Sequence, residues 1–159
     1  MTQTICPSQS EPPVAEVSLL TSESTATDPR HFVVEAARCM EDLHCQDIVV
    51  FDVRRLSPLT DYIIVASGMS DRQIRGVAQH LGRLATDWSM QCLGVEQDAT
   101  STWLVLDLIE VMVHLFEPIT RVHYDLEMLW GDAPRIPWQR NGSIEPIHSP
   151  HGDEVGEFS

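Results

Sequence analysis

Apolar positions along this chain recur with two different periods, and their alternation sets out the order of elements. Val33, Ala36, Ala37, Met40 and Leu43 follow helical spacing behind Asp28 and Pro29, a capping carboxylate followed by a proline suited to the first helical position. The spacing predicts an amphipathic helix to about His44. Ile48, Val49, Val50 and Phe51 then stand in succession within residues 47–53, the mark of a central strand. A loop holding Arg54, Arg55, Ser57 and Pro58 precedes a second strand over residues 61–67, built on Ile63, Ile64, Val65 and Ala66. Gly68 ends it where the backbone calls for a residue tolerant of positive φ. Ser70 and Gln73 have capping-box spacing and open a second helix. Its inner stripe is Ile74, Val77, Ala78, Leu81, Leu84, Ala85 and Trp88, and Arg72, Arg75 and Arg83 mark the wet side.

Beyond that helix, a short strand around residues 92–96 leads through a polar loop to Trp103-Leu104-Val105-Leu106-Asp107. Val111 to Phe116 follows after three residues, which signals a hairpin. A last short helix from about Thr120 carries Val122, Leu126, Leu129 and Trp130, with Gly131 where a C-terminal glycine is preferred. This order predicts an α/β fold, a single small domain with a mixed β-sheet flanked by helices. It occupies residues 29–136. Residues 1–28 are rich in Ser, Thr, Pro and Glu and cannot bury enough surface to offset ordering entropy, so a disordered N-terminal tail is expected. Residues 137–159 repeat that composition and are read as a disordered acidic C-terminal tail.

Charge narrows the partners. The 159 residues hold 24 acids against 10 bases, a formal net charge of −14, and every base is arginine. Residues 29–136 carry nine arginines against sixteen acids, so the folded part is itself acidic. A broad phosphate-binding surface, and with it direct DNA binding, is disfavoured. A basic protein partner suits the charge, although acidity also serves solubility alone. Cys6, Cys39, Cys45 and Cys92 show no C-x-x-C spacing, so neither a zinc site nor a disulfide framework is indicated. No apolar stretch approaches a membrane span, and the acid-bearing N-terminus resembles neither a signal peptide nor a transit peptide. A cytoplasmic protein with no membrane association is expected.

The candidate chemistry is sparse. Asp107 and Glu110 at the hairpin tip are the first acid pair to consider for holding Mg²⁺, but they stand three apart across a turn and need not converge. The turn Ser67-Gly68-Met69-Ser70 before a helix offers amides to an anion, yet it has one glycine, no lysine, and Asp71 already complements the helix dipole. It also lacks the second glycine of a nucleophile elbow, since Arg72 stands there. His114, between Met112 and Phe116 in a strand, reads as a hydrogen-bonded core histidine rather than a ligand. His44, Cys45 and Asp47 have no metal-site spacing. No metal, no cofactor and no catalytic residue is assigned. Trp103 opens a strand beside polar Ser101 and Thr102, a position that suits either a core residue or a contact anchor at a sheet margin.

Taken together, Gln46-Asp47-Ile48-Val49-Val50, Thr60 through Gly68, Ser70-Asp71-Arg72-Gln73, Trp103 to Asp107, Val113-His114 and Tyr124 through Asp132 resemble the ribosomal silencing factor family, also called Iojap-like. The resemblance runs over about residues 31–135. It implies a fold similar to nucleotidyltransferases without their catalytic acids, and a non-enzymatic translational repressor. Such a repressor binds the large ribosomal subunit through ribosomal protein L-fourteen and sterically blocks subunit joining. A homodimer is also implied. The partner-binding residues it suggests are Trp103, with Leu104 beside it, and Asp61, Tyr62 and Asp71 as neighbours. The alternative is a Mg-dependent nucleotide-using transferase on the same scaffold. Two positions depart from the family pattern. Gln97 stands where Val-Glu-Gly is usual, and Leu108-Ile109 where Tyr-Gly is usual, so β-branched Ile109, which resists positive φ, is expected to rebuild the hairpin tip.

Overall fold

The computed structural model describes residues 28–141. Helix α1 (Pro29–Asp42) is followed by strands β1 (Gln46–Asp52) and β2 (Tyr62–Ser67), helix α2 (Asp71–Asp87), strands β3 (Gly94–Gln97), β4 (Trp103–Asp107) and β5 (Val111–Phe116), and short helices α3 (Pro118–Tyr124) and α4 (Leu126–Leu129). The sheet runs β1-β2-β5-β4-β3. Only β2 and β5 pair in parallel; the other neighbours are antiparallel, which gives the mixed sheet expected.

Both long helices start as their sequences dictate. Asp28 accepts from the Arg30 amide at 3.0 Å with Pro29 in the first turn. The Ser70 hydroxyl accepts from the backbone amide of Gln73 at 3.2 Å, while the side-chain Oε1 of Gln73 reaches back to accept from the amide of Met69 at 2.7 Å. The side-chain Nε2 of Gln73 also donates to the Leu43 carbonyl at 3.0 Å, tying the start of α2 to the end of α1. These two helices cover one face of the sheet. Phe32, Val33, Ala36, Ala37 and Met40 of α1 and Ile74, Val77 and Leu81 of α2 bury against Ile64, Leu104, Leu106, Val113 and Leu115. A smaller cluster of Phe51, Val53, Ile63, Val65, Phe116 and Ala133 lies on the opposite face, with Leu126 and Trp130 packed against it. Every residue of β2 is buried, as its unbroken apolar run requires.

Several expectations are corrected. The run in β1 reads as a central strand, yet β1 lies at a sheet edge. Its outer side is covered by the chain after Ala133: the Ile136 amide donates to Val50, the Asp52 amide to Pro134, and the Trp138 indole to the Ile48 carbonyl at 3.1 Å. A covered edge looks central to composition because its free backbone groups are satisfied. Packing therefore continues past Ile136, since Trp138 is buried and Arg38 donates to its carbonyl at 3.0 Å. The rest of the two expected tails lies outside the described residues.

Gly68 has no left-handed backbone. A β-carbon there would stand 2.6 Å from Cγ1 of Ile74, so close approach of α2, rather than positive φ, demands glycine. The last helix breaks in two at Asp125, whose φ of 43° lies in the left-handed region. Val122 of the first piece and Leu129 of the second are both exposed. At the hairpin tip, Ile109 holds φ at 69° despite its branched side chain. There the Glu110 amide donates to the Leu108 carbonyl at 2.9 Å, closing a γ-turn around Ile109.

Candidate functional site

The half-buried Trp103 stands at the first position of β4, opposite Phe116 of β5. Side chains alternate between faces along a strand, so Trp103, His114 and Phe116 share the face away from α1 and α2. The indole stacks on Phe116 with ring centres 5.2 Å apart, lies 6.0 Å from the His114 ring, and meets Tyr124 of α3 at 4.7 Å. Its N–H donates to Nδ1 of His114 at 3.3 Å. His114 is itself buried, which pushes its pKa down to about 4 and keeps Nδ1 an acceptor at neutral pH.

The approach to Trp103 is organised by Asp98 in the β3–β4 loop. Its carboxylate accepts from the amides of Thr102 and Trp103 at 2.8 and 2.9 Å and from the hydroxyls of Thr100 and Thr102. These bonds hold its pKa down to about 2, with the Thr100 hydroxyl the largest cause. Beside the aromatic group, α3 and α4 expose Ile119, Val122, Tyr124, Met128 and Leu129. Ile119 and Val122 are three apart and share one helix face. Such a patch of large apolar groups, with Glu127 in α4 and Asp125 at the junction of the two helices, fits a protein contact better than bulk solvent.

What holds these short helices is a buried arginine. Arg121, 8% exposed, donates through Nη1 to the Ser67 hydroxyl at 2.9 Å and through Nε to Glu127 at 2.9 Å, with a second bond to Glu127 from Nη2. This ion pair fastens α3 and α4 to the end of β2. Nothing in the sequence singles out Arg121, because a helical arginine six residues before a glutamate is ordinarily a solvated one.

The five expected contact residues do not converge. Trp103 is accessible, but Leu104 next to it points to the opposite face and is 2% exposed. Tyr62, 3% exposed, is also in the helix-side core. A partner docking on the folded surface reaches neither. Tyr62 pairs with Val111 while Trp103 pairs with Phe116, five residues further along β5, which sets Asp61 and Tyr62 roughly 16 Å from Trp103 along the sheet. Asp71 lies at the Trp103 end, where its carboxylate accepts from Gln97 at 2.7 Å and pairs with Arg75 at 3.0 Å.

In the acid pair of the rival reading, one carboxylate is committed locally. Asp107 accepts from the Ile109 amide at 2.9 Å and so supports its own turn. The backbone carbonyl of Glu110 accepts from the amides of Asp61 and Tyr62 at 2.9 and 3.0 Å, and its side chain takes no part in these bonds. Among the described residues, no group of three or more His, Cys, Asp or Glu is placed to hold a metal ion. A cleft of about 920 Å³ beside β1 is lined by Asp47, Asp125 and Glu127 as well as Arg121 and Arg135. Its acids outnumber its arginines three to two, and Arg121 is already paired with Glu127, a lining without the cationic excess that would hold phosphates.

The family model described as "ribosomal silencing factor during starvation" matches residues 26–155. The chain belongs to the ribosomal silencing factor family. It is 35% identical over 101 residues to the ribosomal silencing factor of Bacillus subtilis, covering 64% of this chain and 85% of that protein. A crystal structure of a Chromobacterium violaceum protein matches with a TM-score of 0.60 at 30% identity, over 64% of this chain and 85% of that one. A mouse protein named for mitochondrial assembly of the ribosomal large subunit is 29% identical over 90 residues, 55% of this chain and 40% of its own length. Membership places the chain among ribosome-associated regulators of translation. No helix among the described residues is long and apolar enough to cross a membrane.

Against the family pattern noted above, the two departures have different structural consequences. Gln97, in the usual glycine position, uses its side chain to bind Asp71 and so links edge strand β3 to the start of α2. Ile109, also in a usual glycine position, gains no compensating contact of this kind and remains 39% exposed.

Proposed function

We propose that this ribosomal silencing factor represses translation by binding the large ribosomal subunit through ribosomal protein L-fourteen, so that its bulk blocks subunit joining. The observation that carries the reading is the accessible Trp103 on a rigid aromatic support beside an exposed apolar helical surface. Tryptophan and tyrosine set in a packed surround are the residue types that anchor protein interfaces. The net charge of −14 suits a basic ribosomal protein, since opposite potentials speed encounter and suppress wrong partners. Occlusion is steric and requires no catalytic group. The name of the mouse relative, which specifies the ribosomal large subunit, supports the choice of subunit. Asp71 sits at the same end of the sheet as Trp103 and belongs to the rim of the proposed contact; Asp61 lies at the far end. The free protein, in this reading, is a cytoplasmic homodimer.

Gradient sedimentation with purified subunits tests the reading. The wild-type protein comigrates with the large subunit and lowers the yield of joined ribosomes. Trp103→Ala loses comigration by at least roughly 30-fold in affinity, the scale of an interface hot spot, with unchanged circular dichroism. Comigration of Trp103→Ala at wild-type levels would remove Trp103 as the anchor. Absence of the wild-type protein from every ribosomal fraction would sink the proposal itself.

A further inference from the structure

We infer that His114 is a positioning residue of the docking surface: its Nδ1 receives the indole N–H of Trp103 and thereby decides which edge of that indole faces outward. The inference rests on the proposed contact role of Trp103 for its functional meaning, but the geometry stands without it. His114 pairs in register with Val105, and Trp103 with Phe116, so His114 is the diagonal cross-strand neighbour of Trp103 on the same face. Its ring is nearly parallel to that of Phe116, at 10° and 6.2 Å, and lies 26° from the indole plane. Phe116 and Tyr124 contact the same indole at 5.2 and 4.7 Å.

Stacking alone does not fix this indole. Stacking on Phe116 and Tyr124 holds the plane of the indole, and a half-turn of the ring about its Cβ–Cγ bond keeps that plane, so these contacts separate the two orientations less sharply than a directional bond to the N–H does. A hydrogen bond separates them well. In the observed orientation the N–H meets Nδ1 of His114 at 3.3 Å; after the half-turn it would point away, and a part-buried donor would lose its partner. A phenylalanine at position 114 would preserve the stack and lose the acceptor. An asparagine places its carbonyl oxygen where Nδ1 now lies and loses the ring. The two substitutions therefore separate an acceptor role from a packing role.

The test combines large-subunit binding with the indole resonance of Trp103 in ¹⁵N-labelled protein, assigned by its disappearance in Trp103→Phe. In the wild type, a scalar coupling across the hydrogen bond between Trp103 Nε1 and His114 Nδ1 is expected, with slow exchange of the indole proton. His114→Phe shifts and deprotects that resonance and weakens binding roughly tenfold, the equivalent of one lost hydrogen bond. His114→Asn keeps the protection and stays within about threefold of wild type. A His114→Phe protein that binds as wild type, or one that binds better than His114→Asn, would overturn the positioning role. So would a wild-type Trp103 indole proton that exchanges freely and shows no coupling, a readout that holds even where a variant fails to fold. Failure of the wild-type protein to bind large subunits would count against the proposed function, while the indole measurements still decide the role of His114.

Discussion

Ile109 shows how a single residue stores strain without disturbing its surroundings. Its φ of 69° closes a γ-turn in which both the Leu108 carbonyl and the Asp107 carboxylate are used, so the hairpin overrides the preference of a β-branched side chain. Holding an L-residue in the left-handed region costs roughly 1–2 kcal/mol, and glycine would return roughly 0.5–1 kcal/mol through its freer unfolded chain. Ile109→Gly is expected to stabilise the protein by about 0.5–1 kcal/mol, read as a rise in urea midpoint at constant slope. A lower midpoint would show that the apolar contacts of the isoleucine outweigh the strain. Gly68 is the contrasting case. Its role is space for Ile74, which no survey of local sequence reveals, because Ile74 becomes its neighbour only when α2 folds back onto the sheet.

At the scale of elements, the segment after Ala133 completes the edge of the sheet. Strand β1 keeps its place through backbone bonds to Pro134 and Ile136 and through Trp138, whose indole bonds to Ile48 and whose ring is buried beneath α1 and β1. Arg140 extends the attachment by pairing with Asp42 at 2.8 Å and Glu41 at 3.2 Å, which lowers the pKa of Asp42 chiefly through its hydrogen bond. Those exposed pairs add little. Trp138→Ala removes a buried indole and uncovers an acceptor, so a loss of about 3 kcal/mol is expected, together with faster amide exchange along β1. Unchanged exchange in β1 would show that Pro134 and Ile136 hold the edge alone. The same scale explains the corrected boundary: proline-rich composition after Ile136 resembles a tail, while the packing of one tryptophan makes its first residues part of the body.

For the whole molecule, the relevant quantity is the sign of the field. An acidic protein with all its bases as arginine presents a surface that attracts basic partners over about a Debye length, ~10 Å at 0.1 M salt. Association with large subunits is therefore expected to slow as ionic strength rises, with a much smaller change in dissociation rate, because steering acts on encounter and the apolar contact acts on residence. Stopped-flow or surface-immobilised kinetics across a salt series reads both rates. An association rate indifferent to salt would assign the acidity to solubility alone.

The periodicity of apolar residues was sufficient for the order of helices and strands, the hairpin of β4 and β5, and both N-terminal caps of the long helices, since each depends on neighbours within a few positions. The blocks around Asp61, Trp103 and Tyr124 were sufficient for the family. Tertiary structure decided matters of distant contact. It placed β1 at an edge and then covered that edge, buried Arg121 against Ser67 and Glu127, and set Leu104 and Tyr62 behind the sheet while leaving Trp103 accessible. Adjacent strand residues point to opposite faces, so sequence proximity to Trp103 could not tell a contact residue from a core one. The bond from Trp103 to His114 spans eleven positions and exists only because β4 and β5 pair in this register.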